Sequence, residues 1–391
     1  MNKSWEYKKI GDICVVERGG SPRPIDKFIT DDEDGINWIK IGDTSDSMYI
    51  TETAQRIIPE GMKKSRYVKS GDFLLSNSMS FGRPYILKID GCIHDGWLVL
   101  RDEKEQFDKR FLYYYLSSRT TYEKFKAMAV GGVVNNLNSE MVRSVSVPVP
   151  RKEEQSEIAD LLDKLKAVLD RRKQELQLLD NLIKARFVEM FGDPDTNSKG
   201  WEECSLSEKL NVLGGYAFKS DKFDENDGIP VLRIGNINAG YFKLLNMVYW
   251  QKDESLERYA MYPGDLVMSL TGTVGKDDYG NVCILGDDYE MYYLNQRNAK
   301  LEIKEGIDKY YLSQLLRFEQ IKKRLTGISR GVRQANISNK DILNLVVPVP
   351  PMELQEQYSY FVQQVDKSKV IKQQLLLLEQ LFETTIYVIY T

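Results

Sequence analysis

Apolar side chains recur in alternating steps of four and three residues near the middle of the chain. The positions are Ile158, Leu162, Leu165, Leu169, Leu176, Leu179 and Ile183, with Arg172 and Arg186 at the two positions that interrupt the series. A seven-residue repeat of this kind is typical of a helix that buries one stripe against another helix. It predicts a helix from about Lys152 to Met190, roughly 55 to 60 Å long at 1.5 Å per residue. Gly192 and Pro194 follow as a helix stop.

A second stripe of the same kind follows about two hundred residues later. It contains Tyr358, Val362, Val365, Ile371, Leu375, Leu378 and Phe382, requires a one-residue shift in register, and leaves Lys369 and Lys372 near the seam. Val-Pro-Val-Pro precedes each stripe, at 147–150 and 347–350. Proline donates no backbone hydrogen bond and biases its predecessor away from helix, so each tetrapeptide predicts an extended connector.

The rest of the chain also repeats at an offset close to 200. Trp5-Glu6 recurs as Trp201-Glu202, Gly19-Gly20 as Gly214-Gly215, the β-rich run 38–43 as 231–236, Gly71-Asp72 as Gly264-Asp265, and the helical run from Phe107 as that from Ile307. We therefore predict an α+β fold in which two similar globular domains, residues 1–150 and 193–350, alternate with spacer helices at 151–192 and 351–391. The apolar stripe of each helix must be buried, which favours an antiparallel coiled coil of the two helices, with approximate two-fold symmetry between the domains. Helix-mediated homodimerisation is the alternative.

Composition narrows the class of protein. Hydrophobic residues make up 42% and charged residues 29% of 391, and the net charge of -4 argues against a binder that relies on bulk positive charge. The four cysteines form no C-x-x-C pair, which fits a reducing cytoplasm. The chain has no run of 18 apolar residues, so we expect neither secretion nor a membrane span. His94, the only histidine, is interpreted as structural or surface.

Candidate catalytic patterns are few. Gly272 to Lys276 resembles a phosphate loop but lacks its first glycine and its Ser/Thr. Asp288 with Glu302 and Lys304 resembles a metal-dependent nuclease pattern, but the first copy lacks it, which favours a strand edge with surface charges. A nuclease that acts alone and a two-headed binder of protein or small-molecule ligands remain as alternative functions.

Three pairs of loops carry the candidate DNA-binding residues, and both copies contain each loop. The hydroxyl loops, 76–83 and 269–276, combine small hydroxyls with a cation and suit phosphate contact. The Gly-Gly loops, 19–25 and 214–220, diverge in sequence and suit base reading; the amide loops, 134–138 and 333–337, suit adenine recognition. The candidates are Arg23, Ser76, Asn77, Ser80, Arg83, Asn135 and Asn136 in the first copy, and Lys219, Ser269, Thr271, Thr273, Lys276, Arg330, Arg333 and Gln334 in or beside the loops of the second. A hairpin and a strand cap are the structural alternatives for the hydroxyl and amide loops.

This ordered set of motifs resembles the specificity subunits of type I restriction-modification enzymes. The resemblance spans the chain and includes the Phe-Val-Glu-Met-Phe-Gly-Asp-Pro ending at 187–194. It implies that each domain recognises one half of a bipartite site in double-stranded DNA. It also implies that the helices space the domains and dock two methyltransferase subunits, with restriction subunits as further partners whose presence the sequence leaves open.

The same resemblance implies a non-catalytic, cytoplasmic subunit without a membrane partner. No cofactor or metal is expected in this chain, because S-adenosylmethionine would belong to the partner methyltransferase. Arg172, Arg186, Lys369 and Lys372 are the candidate partner-binding residues on the helices, either by contact with acidic partner groups or merely as weak turns of the seam.

Overall fold

The chain divides into two compact units. The computed structural model describes residues 5–77, 82–129, 136–238, 240–273, 276, 278–327, 334–365 and 369–390. Unit 1 comprises Met1–Gln174 and Lys372–Thr391, and unit 2 comprises Glu175–Ile371. Each unit therefore contains one of the two domains together with segments of the long helices.

Unit 1 is built from short strands followed by helices. Its strands are β1 (Tyr7–Lys9), β2 (Val15–Arg18), β3 (Ile29–Thr30), β4 (Ile36–Ile39), β5 (Tyr49–Ile50), β6 (Arg56–Ile57), β7 (Arg66–Val68), β8 (Phe73–Ser76), β9 (Pro84–Leu87), β10 (Gly91–Ile93), β11 (Trp97–Arg101) and β12 (Ser146–Pro148). Its helices are α1 (Ile10–Ile13), α2 (Pro59–Met62), α3 (Lys109–Ser117), α4 (Arg119–Ala129), α5 (Ser139–Ser144) and the first part of α6 (Lys152–Phe191).

Two five-stranded sheets form the centre of unit 1. Their strand orders are β3-β6-β4-β10-β7 and β2-β11-β8-β9-β5, and β1 pairs with β12 apart from both. One apolar cluster, which includes Ile39, Leu74 and Trp97, draws on strands of both sheets. A larger cluster packs the other face of the second sheet against α3, the start of α6 and the end of the C-terminal helix. Burial of apolar area on both faces of this sheet is the main stabilising contribution to the unit.

Unit 2 repeats this organisation. Its strands are β13 (Glu203–Ser205), β14 (Leu210–Gly214), β15 (Ile229–Leu232), β16 (Tyr249–Trp250), β17 (Ala260–Met261), β18 (Leu266–Ser269), β19 (Thr271–Thr273), β20 (Val282–Ile284), β21 (Tyr292–Leu294), β22 (Asn298–Ile303), β23 (Gln334–Asn336) and β24 (Val346–Pro348). Its helices are α7 (Leu206–Lys209), α8 (Ile234–Ile237), α9 (Lys309–Leu315), α10 (Glu319–Thr326), α11 (Asn339–Leu343), α12 (Met352–Val365) and the last part of α6. Helix α13 (Lys369–Tyr390) begins in this unit and continues into unit 1.

The sheets of unit 2 are smaller. Their orders are β14-β22-β18-β20 and β16-β15-β21-β17, with the two-stranded pairs β13-β24 and β19-β23 beside them. The pairs β1-β12 and β13-β24 match in register, because Tyr7 lies opposite Pro148 and Glu203 opposite Pro348. The Val-Pro-Val-Pro connectors therefore end each domain on a strand paired with the domain's own beginning.

Both long helices end inside a domain core. In unit 2, Phe187 and Phe191 of α6 pack against Tyr311, with ring centroids 5.2 and 4.9 Å away. In unit 1, Tyr390 of α13 packs against Phe111 and Tyr115 at 5.3 and 5.1 Å, and its hydroxyl donates to the carbonyl of Phe111 at 3.1 Å. Each long helix thus ends in an aromatic residue that is buried in a domain core, Phe191 in α6 and Tyr390 in α13.

The sequence-based prediction of the first spacer helix is confirmed to within one residue, and its seam positions form the more buried face of α6. The second stripe falls on α12 and α13, and residues 366–368 between them lie outside the described residues. The predicted strands at 38–43 and 231–236 are only partly correct. Each run starts as a strand, but residues 41–43 form a 3-10 turn and Ile234–Ile237 forms α8. Among the described residues, none of the helices is both long and apolar enough to cross a membrane.

Candidate nucleic-acid interface

Two candidate loops of unit 1 contact one turn, His94 to Trp97, which joins β10 to β11, and the third loop contacts one of these two; we call the turn the central turn of unit 1. From the Gly-Gly loop, Ser21 Oγ donates to Asp95 Oδ1 at 2.7 Å, and Arg23 Nη2 lies 3.4 Å from Asp95 Oδ2. From the hydroxyl loop, Asn77 Nδ2 donates to the Asp95 carbonyl at 2.8 Å. Leu137 of the amide loop donates its N–H to the Asn77 carbonyl at 2.9 Å. The hydrogen bond from Ser21 is the main cause of a lowered Asp95 pKa, so the turn carries a carboxylate.

Unit 2 repeats this arrangement at the central turn of unit 2, Asn295 to Asn298, which joins β21 to β22. Gln296 N–H donates to the Tyr216 carbonyl of the Gly-Gly loop at 2.8 Å. Leu270 N–H donates to the Arg297 carbonyl at 2.8 Å, and its own carbonyl accepts from Ile337 N–H. The hydroxyl loop also pairs with the amide loop along β19 and β23, with Thr271 opposite Asn336.

A shared glycine explains why the Gly-Gly loops approach the central turns so closely. A Cβ at Gly19 would lie 2.0 Å from the His94 carbonyl oxygen, and one at Gly215 would lie 2.2 Å from that of Asn295. These two glycines are structural equivalents, since Arg18 pairs with Leu98 as Gly214 pairs with Ala299. The sequence-based match of Gly19-Gly20 to Gly214-Gly215 is therefore wrong by one residue.

His94 serves the backbone of its turn. Its Nδ1 lies 2.6 Å from the N–H of Gly96, and its Nε2 lies 3.2 Å from the N–H of Ile41. Burial is the main cause that lowers the pKa of His94, with Lys40 acting in the same direction and Asp95 and Asp43 opposing. The ring is held neutral, in line with the structural interpretation of this histidine.

The hydroxyl loops need the largest correction. Ser76, Asn77 and Ser269 are buried, at 1%, 2% and 0% exposure, so these side chains offer no donor to a surface ligand. Ser76 Oγ accepts from Arg83 N–H, and Ser269 Oγ accepts from Asn281 N–H. The position of Arg83 therefore corresponds to Asn281 and not to Lys276, because the second loop is longer between its two strands.

The remaining candidate residues divide into three groups. Arg23, Arg83, Asn136, Lys219, Thr273 and Lys276 are exposed, and Thr271 is half-buried. Ser80, Asn135, Arg330 and Arg333 lie outside the described residues, and only the backbone of Gln334 is described. The exposed group can still contact DNA, and its assignment to bases or phosphates stays a prediction.

Sequence reasoning missed the central turns themselves. Asp95 in unit 1, and Gln296 and Arg297 in unit 2, lie where the Gly-Gly loop and the hydroxyl loop meet, and Gln296 and Arg297 are exposed. One signal was available, because residues 94–97 and 295–298 each join two β-rich runs and differ completely between the copies. Variable residues on a shared frame are where specificity is expected.

An open groove lies beside each hydroxyl loop. The groove of unit 1 has a volume of about 1160 Å³ and includes Arg83, Arg119 and Glu123. That of unit 2 has about 820 Å³ and includes Lys276, Arg317, Lys322 and Lys323. Four of the five charged residues that line the second groove are cations, and the fifth, Glu319, pairs with Lys323. This excess of positive charge suits a neighbouring phosphate backbone.

The candidate partner-binding residues on the helices differ in how far their side chains are available to a partner. Arg186 Nη1 pairs with Glu189 at 2.8 Å, and the guanidinium lies 5.8 Å from the centroid of the Phe361 ring, so this residue is engaged within unit 2. Arg172 is half-buried on α6 and has an internal interaction. The side chains of Lys369 and Lys372 are not among those described.

The nuclease pattern is not assembled in the described part of the chain. There, the structure contains no group of three or more His, Cys, Asp or Glu side chains that could hold a metal ion. Glu302 lies opposite Asn211 in the sheet, and Lys304 Nζ donates to the carbonyl of Ser207 at 2.9 Å. Strand β22 is paired on both sides, Glu302 is half-buried near its end and Lys304 is exposed after it, so the strand-edge interpretation is only partly correct.

Comparison with known proteins identifies the family. The type I restriction modification DNA specificity domain matches twice, at residues 2–180 and 198–380. The chain is 24% identical over 394 residues to the type I restriction enzyme MjaVIII specificity subunit of Methanocaldococcus jannaschii, covering 95% of this chain and 88% of the relative. It is 26% identical over 289 residues to the EcoKI specificity subunit of Escherichia coli strain K12, covering 68% of this chain and 60% of that one.

The fold has a counterpart among solved structures. The crystal structure of the type I restriction-modification S subunit from M. genitalium matches with a TM-score of 0.55 at 17% identity, covering 100% of this chain and 97% of that one. The two matched domains together span more than half of the sequence. The chain therefore belongs to the family of type I restriction-modification specificity subunits, the non-catalytic subunits that carry DNA specificity domains.

Proposed function

We propose that this chain reads a bipartite site in double-stranded DNA, one half with the central turn and loops of unit 1 and the other half with those of unit 2. The observation that carries the proposal is that two loops contact one turn in each unit and a third loop contacts one of them, with different residues on the shared frame. A shared frame suits the invariant backbone of the duplex, and different residues suit two different half-sites.

The net charge of the chain supports a proposal that partner subunits supply part of the contact with DNA. With a net charge of -4 it lacks the excess of cations that gives tight, salt-sensitive binding to phosphates. We therefore expect weak binding of DNA by the chain alone and tight binding in complex with methyltransferase subunits. S-adenosylmethionine would be bound by those partners, in the cytoplasm.

The spacer helices offer a repeated surface for those partners. Leu178 and Leu182 of α6 are 60% and 48% exposed, and Leu377 and Leu381 of α13 are 64% and 51% exposed. Each pair is spaced i, i+4 and so lies on one helix face, and the pairs are 199 residues apart, like Phe191 and Tyr390. Exposed leucine pairs that recur in both copies fit two equivalent methyltransferase subunits better than the engaged Arg186 does.

The proposed antiparallel pairing of the helices has support within unit 1. There, Lys173 of α6 pairs with Glu379 of α13 at 3.0 Å, while Ile158 and Tyr390 share one core. The residue numbers of these two contacts run in opposite directions along the two helices. In unit 2, α6 and α12 are also in contact, because Tyr358 donates its hydroxyl to the Ile183 carbonyl at 3.3 Å.

The decisive experiment is to co-express the chain with the methyltransferase of its own source and map methylated positions across a genome by single-molecule sequencing. A gapped motif of two parts is the expected result. Replacement of residues 1–150 by the corresponding domain of a relative should change one part only. A stable complex that methylates no two-part motif would show that the proposal is wrong and would favour a protein or small-molecule ligand.

A further inference from the structure

The central turn of unit 2 holds its backbone rigidly while it exposes its side chains. Asn295 Oδ1 accepts from Arg297 N–H at 3.2 Å, and the Asn295 carbonyl accepts from Asn298 N–H at 2.9 Å. The Arg297 carbonyl accepts from Leu270 N–H, and Gln296 N–H donates to Tyr216, so two loops fix the turn from opposite sides. A side chain on such a support loses little further backbone entropy on binding.

Arg297 is exposed on this support. In the part of the chain that the structure describes, no ion pair of its guanidinium is recorded, whereas nearby Lys300 pairs with Asp265 at 2.7 Å. An arginine that is not engaged by the protein keeps its planar fork of donors for a ligand. The ligand that the proposed function places here is the edge of a base pair.

Unit 1 has no arginine at the equivalent position of its central turn. Gly96 occupies the position of Arg297, and a Cβ there would lie 2.1 Å from Cε1 of His94. The cation of unit 1 comes instead from Arg23, which reaches the same turn from the Gly-Gly loop and lies 3.4 Å from Asp95. Arg18 Nε also donates to the Asp95 carbonyl at 3.1 Å, so the central turn of unit 1 is reached by arginines from other segments, whereas that of unit 2 carries its own.

We infer that Arg297 is a specificity-determining residue that reads a guanine in the half-site of unit 2. This inference rests on the proposed function. Arginine forms two hydrogen bonds with the O6 and N7 atoms of guanine, the commonest specific contact in the major groove. The central turn also projects Gln296 beside it, and Tyr216 of the adjoining loop is exposed. The hydrogen-bonded backbone fixes the position from which the Arg297 side chain extends.

The test compares methylation motifs of the full chain in complex with its methyltransferase. Arg297→Ala should relax one G·C position of one half-site, with a roughly five- to hundred-fold loss of discrimination there, and leave the other half-site intact. Arg297→Gln should favour adenine at the same position, because glutamine bonds to adenine N6 and N7. Lys304→Ala is the charge-matched control, since Lys304 follows the other end of β22, about 20 Å away along the strand.

Each outcome decides the inference. Relaxation of a single position by Arg297→Ala supports it, and if that variant proves unstable in a thermal melt, a base change by Arg297→Gln supports it equally. An unchanged motif, or a uniform loss of methylation at every site by folded protein, overturns it, because the second pattern is that of a phosphate contact. A wild-type complex without any two-part motif would instead refute the proposed function.

Discussion

Two glycines set how closely the recognition loops approach the sheets. Gly19 and Gly215 each lie against a carbonyl oxygen of the central turn, at distances that leave no room for a methyl group. Neither has a positive φ angle, so space and not backbone conformation selects glycine here. The requirement is repeated in both copies because the turn itself is repeated.

Substitution of these glycines tests the close approach. Gly19→Ala and Gly215→Ala should each lower the free energy of unfolding by about 1–3 kcal/mol, since backbone must move to admit the methyl group. Gly42→Ala and Gly235→Ala are the matched controls, because no atom lies within 4 Å of a Cβ at either position. The controls should change stability by less than about 1 kcal/mol. Urea denaturation measures all four, and equal effects at the tight and open positions would contradict this account.

His94 should make the stability of the chain depend on pH. Its pKa is lowered in the folded state from an unfolded value near 6.5, so the unfolded state binds the proton more readily. The stabilising contribution is therefore complete above pH 6.5 and is lost as the pH falls through the lowered pKa. Both ring nitrogens face backbone N–H groups, so a second ring proton would point at a donor.

His94→Asn, which introduces the residue found at the equivalent Asn295, should flatten this dependence between pH 7.5 and 5.5. The measurement is the urea midpoint at each pH. No other histidine contributes, because His94 is the only one in the chain. A variant that keeps the wild-type slope would assign the pH dependence to other groups.

At the scale of elements, the ends of the long helices are buried in the domain cores. Tyr390 is 6% exposed and contacts two aromatic rings, and Phe191 is 2% exposed in the equivalent place. Helix α6 thereby ends in the core of unit 2, and α13 ends in the core of unit 1. The aromatic contacts stabilise each helix end beyond the contribution of the apolar area that it buries.

Tyr390→Ala should therefore cost about 3–5 kcal/mol, the usual range for removal of a large buried aromatic side chain. Tyr390→Phe keeps the ring and loses only the hydrogen bond to Phe111, which should cost about 1 kcal/mol. Val388→Ala is the control, because Val388 is 68% exposed two residues away. Thermal melts distinguish the three, and a small effect of Tyr390→Ala would show that the helix end is not anchored.

Helices were predictable from the sequence and loops were not, for a physical reason. The seam of α6 repeats over many turns, so its bounds follow from the pattern, and Gly192 with a φ of 80° ends it as expected. The hydroxyl loops look alike in composition, but their frame is set by distant strands: Ser76 bonds to Arg83, and Ser269 to Asn281. Strand register decides such equivalences, and one chain's sequence contains no direct record of it.

At the scale of the whole molecule, the proposed docking of methyltransferase subunits predicts two docking sites per chain. Each proposed docking pair exposes two leucines on one helix face, Leu178 with Leu182 and Leu377 with Leu381. Their exposure means that substitution leaves the folded chain intact, because surface changes rarely alter stability by more than about 0.5 kcal/mol. The pairs can therefore be altered separately to test whether each holds one methyltransferase.

Leu178→Lys with Leu182→Lys should reduce the number of methyltransferase subunits bound per chain from two to one, since each lysine places an unpaired charge in an apolar contact. Leu377→Lys with Leu381→Lys should do the same, and the fourfold variant should bind none. Gln177→Lys is the control, because it adds one lysine on an exposed neighbouring face of α6. Native mass spectrometry of the assembled complex counts the subunits directly. A ratio of two that persists in both double variants would place the docking surface elsewhere on the chain.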